Sequence, residues 1–397
     1  DVETPKDWYA AFRMLKNYLQ GISRPGKLVV FLDEVPWMET RKSDFVSALE
    51  GFWNGWGSGE NNLLLILCGS ATSWITKKVF SNKGGLFNRD TDRIYLEPFT
   101  LKETEEFLDR RQICLTRKDI AECYMIMGGI PYYLDKIEKG MSFSQNIDNI
   151  FFKKRARLWD EFTHLYASLF DNPEPHLKIV KALNTKRSGL TRAEISEATK
   201  IPPNGNLTRV LKELEDSGFV LSYKDWTKTK KGNIYRLSDF YTIFYLDFVQ
   251  ENYGDDENFW TNRIDSSMHR AWTGFAFELL CMNHIPQIKA ALGISGVATR
   301  QFSWRGEDES GKRSQIDLLI DRRDGVIDLC EVKFASGLYA ITKGYESELV
   351  DKIEVFRNAT KTNKSIHLVM VTTFGLSANS HTSLVQNSIT LDDLFLH

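Results

Sequence analysis

The chain lacks any pair of cysteines spaced C-x-x-C, and its five cysteines, Cys68, Cys114, Cys123, Cys281 and Cys330, are scattered and odd in number. That argues against a disulfide framework or a zinc site and fits a reducing cytoplasm. No apolar run reaches the roughly 18–20 residues needed to cross a bilayer, and no charged-then-apolar leader opens the chain, so a soluble protein with no membrane partner is expected. Internal repeats and low-complexity segments are missing too. Charge is nearly balanced, at −2 over 397 residues, which neither implies nor excludes a polyanionic partner. What is present is ordinary globular usage, 42% hydrophobic and 26% charged, over a length greater than one core usually fills. The first residue is Asp1, not methionine, and helical spacing is already under way at Trp8, Phe12, Leu15 and Leu19. The chain therefore reads as a fragment of a longer protein.

Patterning divides it into five stretches. In residues 1–98 a helix is broken by Ser23-Arg24-Pro25-Gly26. Two short unalternating apolar runs follow, Leu28–Leu32 and Leu63–Cys68, with a helical stripe between them at Phe45, Val46, Leu49 and Phe52. Runs of that kind are expected to be buried parallel strands of a βαβ unit. Residues 99–171 read as helical, interrupted at Gly128-Gly129-Ile130-Pro131 and closed by the polar break Asp171–Pro175. Residues 172–240 predict short helices, one capped by Thr191 and another from Asn204 to Ser217 with Leu207, Val210, Leu211 and Leu214 inward. Two strands then flank a basic turn at Lys228, Lys230 and Lys231. Residues 241–270 read as an aromatic-rich helical connector. Residues 271–397 open on a long helix and continue as alternating strands and helices.

Three groups of residues carry chemistry. The first apolar run ends in Asp33 and Glu34, the form of a Walker B motif: one carboxylate can hold magnesium through its water shell while its neighbour polarises the attacking water. A buried strand with an acidic end is the alternative. The second run ends at Ser70, which could sense a γ-phosphate beside Asp33. Downstream come Gly84–Arg89, Arg93 and Leu96–Phe99, then Gly128-Gly129-Ile130-Pro131-Tyr132-Tyr133-Leu134. In that order these motifs resemble the archaeal and bacterial AAA-type ATPases of the P-loop superfamily. The resemblance implies an α/β fold with a P-loop NTPase-type parallel sheet over 1–98 and a helical lid over 99–171. It also implies ATP and Mg2+ (or Mn2+) as cofactors, and an arginine, Arg89 in preference to Arg93, that stabilises charge on the transferring phosphoryl group. A surface salt bridge is the alternative for each arginine. The departure is the phosphate loop: no G-x-x-x-x-G-K-[ST] occurs anywhere, so the P-loop sheet is incomplete and this chain should bind nucleotide poorly.

Residues 172–240 resemble a winged helix-turn-helix. Arg209, Lys212 and the turn lysines could meet DNA phosphates, but Glu213, Glu215 and Asp216 on the same helix oppose this, and a protein-docking role weighs equally. In 271–397, Glu278 sits inside an apolar helix, Asp317 near the start of a strand, and Glu331 and Lys333 on one face of the next strand. This D…E-x-K set resembles the restriction-endonuclease-like (PD-(D/E)xK) nucleases. The resemblance implies an α/β domain in which Glu278, Asp317 and Glu331 hold metal and Lys333 steadies the phosphorane charge. The family most like the whole chain joins all three parts in this order. Its implied function is an ATP-hydrolysing ATPase coupled to a metal-dependent nuclease acting on DNA. The alternative is a nucleotide-controlled, non-cleaving switch that binds DNA or protein. Homo-oligomers and a partner protein both stay open, because AAA-type sites often borrow an arginine from a neighbouring subunit.

Overall fold

Asp7 caps the first helix, α1 (Trp8–Gln20), by accepting a hydrogen bond from the Ala10 N–H at 2.7 Å. Capping frees the apolar face of α1 to pack on α2 (Phe45–Gly55): Trp8 meets Phe45 edge-on at 4.8 Å, and Phe12 stacks on Phe52 at 5.2 Å. Beside them, β1 (Leu28–Leu32) pairs in parallel with β2 (Leu63–Leu67), Leu28 opposite Leu63 and Leu32 opposite Leu67. The computed structural model describes residues 4–23, 25–40, 43–69, 75, 85–86, 89–224, 233–252 and 254–396. They form a mixed α/β protein with parallel and mixed sheets, in two compact units: Asp1–Leu96 with Ala167–Asp171, and Glu97–Tyr166 with Asn172–His397. No helix among them is long and apolar enough to cross a membrane.

The first unit corrects one expectation. The two apolar strands were expected to be covered on both faces, yet exposure alternates: Val29, Phe31, Leu64 and Ile66 are 58, 55, 47 and 38% exposed. Apolar composition alone cannot report which face finds a partner. Here Val30 joins the α1 and α2 core, and the opposite face has no comparable cover among the described residues.

In the second unit, Thr100 and Glu103 form a capping box at the start of α3 (Leu101–Arg110), and α4 (Arg117–Met127) follows. The turn after α4 needs its glycines. Gly128 and Gly129 both have positive φ, and a Cβ on Gly129 would lie 2.3 Å from the Phe99 carbonyl oxygen. Further along are α5 (Glu174–Asn184), the short strand β3 (Leu190–Thr191), α6 (Arg192–Thr199) and α7 (Gly205–Asp216). Thr191 caps α6 through a capping box with Glu194, and Asn204 caps α7. Leu207, Val210, Leu211 and Leu214 are all buried. Strands β4 (Val220–Lys224) and β5 (Asn233–Leu237) complete an antiparallel sheet of order β3-β5-β4. The basic turn with Lys228, Lys230 and Lys231 lies outside the described residues.

The stretch 241–270 is helical only in part. Helical turns reach Asn252, after which the chain is largely irregular and buries Phe259 and Trp260 in an aromatic core with Phe244, Phe248 and Trp272. Aromatic packing, not helical periodicity, fixes this segment. From α8 (Ser267–Asn283) the chain enters a five-stranded mixed sheet: β6 (Thr299–Glu307), β7 (Arg313–Arg322), β8 (Val326–Lys333), β9 (Ser365–Thr372) and β10 (Asn387–Thr390), in the order β10-β9-β8-β7-β6. Strands β6, β7 and β8 run antiparallel in sequence, while β8, β9 and β10 are parallel. Ile327 through Val332 are buried, so β8 is covered on both faces; α8 packs on β8, and α9 (Lys343–Thr360) on β6 and β7.

Candidate functional site

The β7–β8 hairpin builds the acidic centre. Its ladder ends where Leu318 pairs with Cys330, the sequence neighbours of Asp317 and Glu331. Glu331 is buried. Its Oε1 accepts from Lys333 Nζ at 2.8 Å and from the Tyr345 hydroxyl at 2.6 Å, and its Oε2 accepts from Lys352 Nζ at 2.6 Å. Burial acts to raise the Glu331 carboxyl, but the Lys352 and Lys333 charges outweigh it and hold the group below the usual range. Burial alone would lower Lys333. Its pairing with Glu331 prevails, so Lys333 is raised and stays a cation. Burial and the Glu331 charge likewise raise the Tyr345 hydroxyl, which remains a donor.

Glu278 arrives from the middle of α8, among the buried residues Phe277, Leu279 and Leu280. Its pKa is pushed up to about 8, first by burial and then by the charge of Asp317, with a smaller contribution from Glu331; Arg236 and Lys333 act against the shift. Helix and strands therefore place Glu278 within the electrostatic reach of Asp317, Glu331 and Lys333. Asp317 Oδ1 accepts from Gln315 Nε2 at 2.7 Å, and Gln315 Oε1 in turn accepts from Arg305 Nε at 3.2 Å. Glu278, Asp317 and Glu331 are all carboxylates, whose oxygens are the ligand type that magnesium and manganese favour. Among the described residues, however, no group of three or more His, Cys, Asp and Glu side chains stands at metal-binding spacing, these three included.

Four contributors escape a reading of the sequence: Gln315, Tyr345, Lys352 and Arg236. Tyr345 and Lys352 are seven residues apart on α9, two helical turns, and so share a face. That spacing was legible, but nothing in it announced that the face would meet β8.

In the first unit, Asp33 and Glu34 follow directly on β1. Glu34 adopts the left-handed conformation (φ 48°, ψ 47°), which costs a residue with a side chain on the order of 1 kcal/mol. Its N–H donates to Asp33 Oδ1 at 3.1 Å. Asp33 is exposed and Glu34 half-buried. The ends of the two strands are tied by Cys68 N–H to the Leu32 carbonyl and Val35 N–H to the Cys68 carbonyl, both at 2.9 Å. Burial and then the Asp33 carboxylate raise the Cys68 thiol. Arg89 is exposed, and Arg93 pairs with Asp90. Ser70 lies outside the described residues, as does most of the glycine-rich segment before Arg89.

On α7, Arg209 is engaged by Glu213 at 2.8 Å, and Glu213 also meets His176 Nε2 at 3.1 Å; Lys212 is exposed.

No family model matches the chain. It is 25% identical over 277 residues to the uncharacterised protein MJECL04 of Methanocaldococcus jannaschii, an alignment covering 69% of this chain and 58% of that protein. The chain thus spans less than two thirds of the length of this relative. Among solved structures it is similar to the Walker-type ATPase PABY2304 of Pyrococcus abyssi, with a TM-score of 0.44 and 16% identity over 60% of this chain and 68% of that one. At that TM-score the likeness transfers no residue and no reaction to this chain.

Proposed function

We propose that the second unit carries a metal-dependent phosphodiesterase centre acting on DNA, and that the Asp33–Glu34 corner of the first unit belongs to an ATPase core that controls it. The observation that carries the reading is the electrostatic coupling of Glu278 on α8 to Asp317 on β7 and Glu331 on β8, with Lys333 hydrogen-bonded to Glu331. Glu278 and Asp317 repel each other, and a divalent cation would relieve that repulsion. A bound Mg2+ or Mn2+ would supply Lewis-acid charge to the phosphoryl oxygens. Glu278, Asp317 and Glu331 would hold it. Gln315 orients the Asp317 carboxylate, while Tyr345 and Lys352 fix that of Glu331. Lys333, kept protonated, is suited to donate hydrogen bonds to charge growing on phosphoryl oxygens and not to abstract a proton. Asp33 would hold magnesium and Glu34 polarise water on the nucleotide side, with Arg89 and Ser70 in the roles their motif implies.

One observation favours a second reading, a nucleotide-controlled switch that binds DNA or protein without cleaving. Both Glu331 oxygens are occupied by Lys333, Tyr345 and Lys352. Nicking of supercoiled plasmid DNA separates the two. The nuclease reading predicts Mn2+- or Mg2+-dependent nicking by the wild type and a loss of at least about 100-fold in Glu331→Ala. Plasmid left intact with either metal, with and without ATP, would leave the switch.

A further inference from the structure

A cleft of about 190 Å3 lies between the β3–β5 face and the β6–β7 hairpin, wholly within the second unit. Arg236 of β5, Trp304 and Arg305 of β6, and Gln315 and Asp317 of β7 line it, so it opens beside the acidic centre. Arg236 is the unusual member. It is only 4% exposed and forms no ion pair among the described residues. Its Nη1 approaches the Met282 sulfur at 3.2 Å, its guanidinium lies 5.2 Å from the Phe275 ring centre, and its buried Nε has no acceptor. The buried indole N–H of Trp304 also lacks one.

A buried guanidinium is expensive, and a thioether, a ring face and the charge of Glu278 beyond ion-pair distance repay little of its desolvation. The other cations of the cleft are already engaged: Lys186 binds Glu194 at 2.6 Å, and Arg305 leans on Gln315, which holds Asp317. The missing group is therefore an anion rich in acceptor oxygens. Arg236 is also close enough to the acidic centre to oppose the rise in the pKa of Glu278.

We propose that this cleft is a phosphate subsite, holding a backbone phosphodiester of a DNA strand next to the one positioned at Asp317, with Arg236 as its buried ligand and Arg305 at its mouth. The assignment rests on the phosphodiesterase reading of the acidic centre. It gives the β3-β5-β4 sheet a role in substrate binding: β5 contributes a side chain to the strand's path, and the cleft positions the backbone without reading sequence.

The test is fluorescence anisotropy of a short fluorescein-labelled DNA duplex on the full chain, with Ca2+ in place of the reactive metal. Arg236→Met should weaken binding about 10-fold and reduce the slope of log affinity against log salt by about one. Arg305→Gln, at an exposed position where folding is not at issue, should weaken it by roughly 3-fold. Wild-type affinity and salt slope in both variants would overturn the subsite, and so would a wild type that does not bind the duplex. If plasmid nicking persists in that case, the acidic centre stands and only the subsite falls. Binding that depends on Arg236 without metal-dependent nicking would instead retain the subsite and remove the nuclease. Thermal stabilisation by inorganic phosphate that Arg236→Met abolishes, with duplex affinity unchanged, would assign the cleft to a free anion and overturn the DNA assignment.

Discussion

Glu278, Glu331 and Asp328 are carboxylates of one sheet and its helix, and their surroundings send them different ways. Glu331 has three donors and is held down; Glu278 is pushed up to about 8, by burial first and then by the like charge of Asp317. Asp328, fully buried in β8, is raised first by burial, against Arg322 and His367, and neither of its oxygens has a hydrogen bond among the described residues. Arg322 is 3.6 Å away but is already engaged by Asp324. The sign of the resulting linkage follows from the direction of the shift. A carboxyl raised on folding contributes stability below its ordinary value of 3.8, and that contribution is lost as pH rises through the higher folded value. Asp328→Asn should therefore stabilise the protein at pH 7 by about 1–2 kcal/mol, and the advantage should vanish in acid. Urea unfolding of both forms across pH checks this, and a variant less stable at neutral pH would contradict it. None of these differences is visible in the sequence, where all three are single acids in or beside apolar runs.

At the scale of elements, what was legible followed from period and capping. The face of α7 was readable from Leu207 to Leu214 and its start from Asn204, because apolar spacing and caps are local. Part of the acidic hairpin was readable for the same reason: Glu331 and Lys333 lie two residues apart on one strand and share a face, and their hydrogen bond follows from that spacing. The share of α9 was not readable, because Tyr345 and Lys352 act only through a tertiary contact. That contact can be measured. Lys352→Met should cost roughly 2–3 kcal/mol by leaving Glu331 short of a charge partner, and adding Glu331→Gln should recover at least about 1 kcal/mol of the sum. Strict additivity in this double-mutant cycle would mean that the 2.6 Å pair is not energetically coupled. Sequence also misjudged β1 and β2, since hydrophobic composition tells a strand that it can be buried and not whether both faces will be. The open face at Val29, Phe31, Leu64 and Ile66 is the physical remainder of that misreading.

At the scale of the molecule, the two units differ in how much chemistry they display. The first presents a strained acidic corner at Asp33 and Glu34, but Ser70 falls outside the described residues and no phosphate loop occurs in the chain. The second presents carboxylates from a helix and two strands, two lysines and a tyrosine fixing one of them, and a cleft alongside. In the proposed function Glu278, Asp317 and Glu331 together bind a divalent cation. Thermal unfolding of the intact chain, titrated with Mn2+ at neutral pH, tests it most directly, since a ligand that binds only the folded state stabilises it by mass action. The melting temperature should rise by several degrees at saturating Mn2+, on the order of 2–3 kcal/mol, and an Asp317→Ala variant should gain nothing. A wild type indifferent to Mn2+, or an Asp317→Ala variant that gains as much as the wild type, would contradict it.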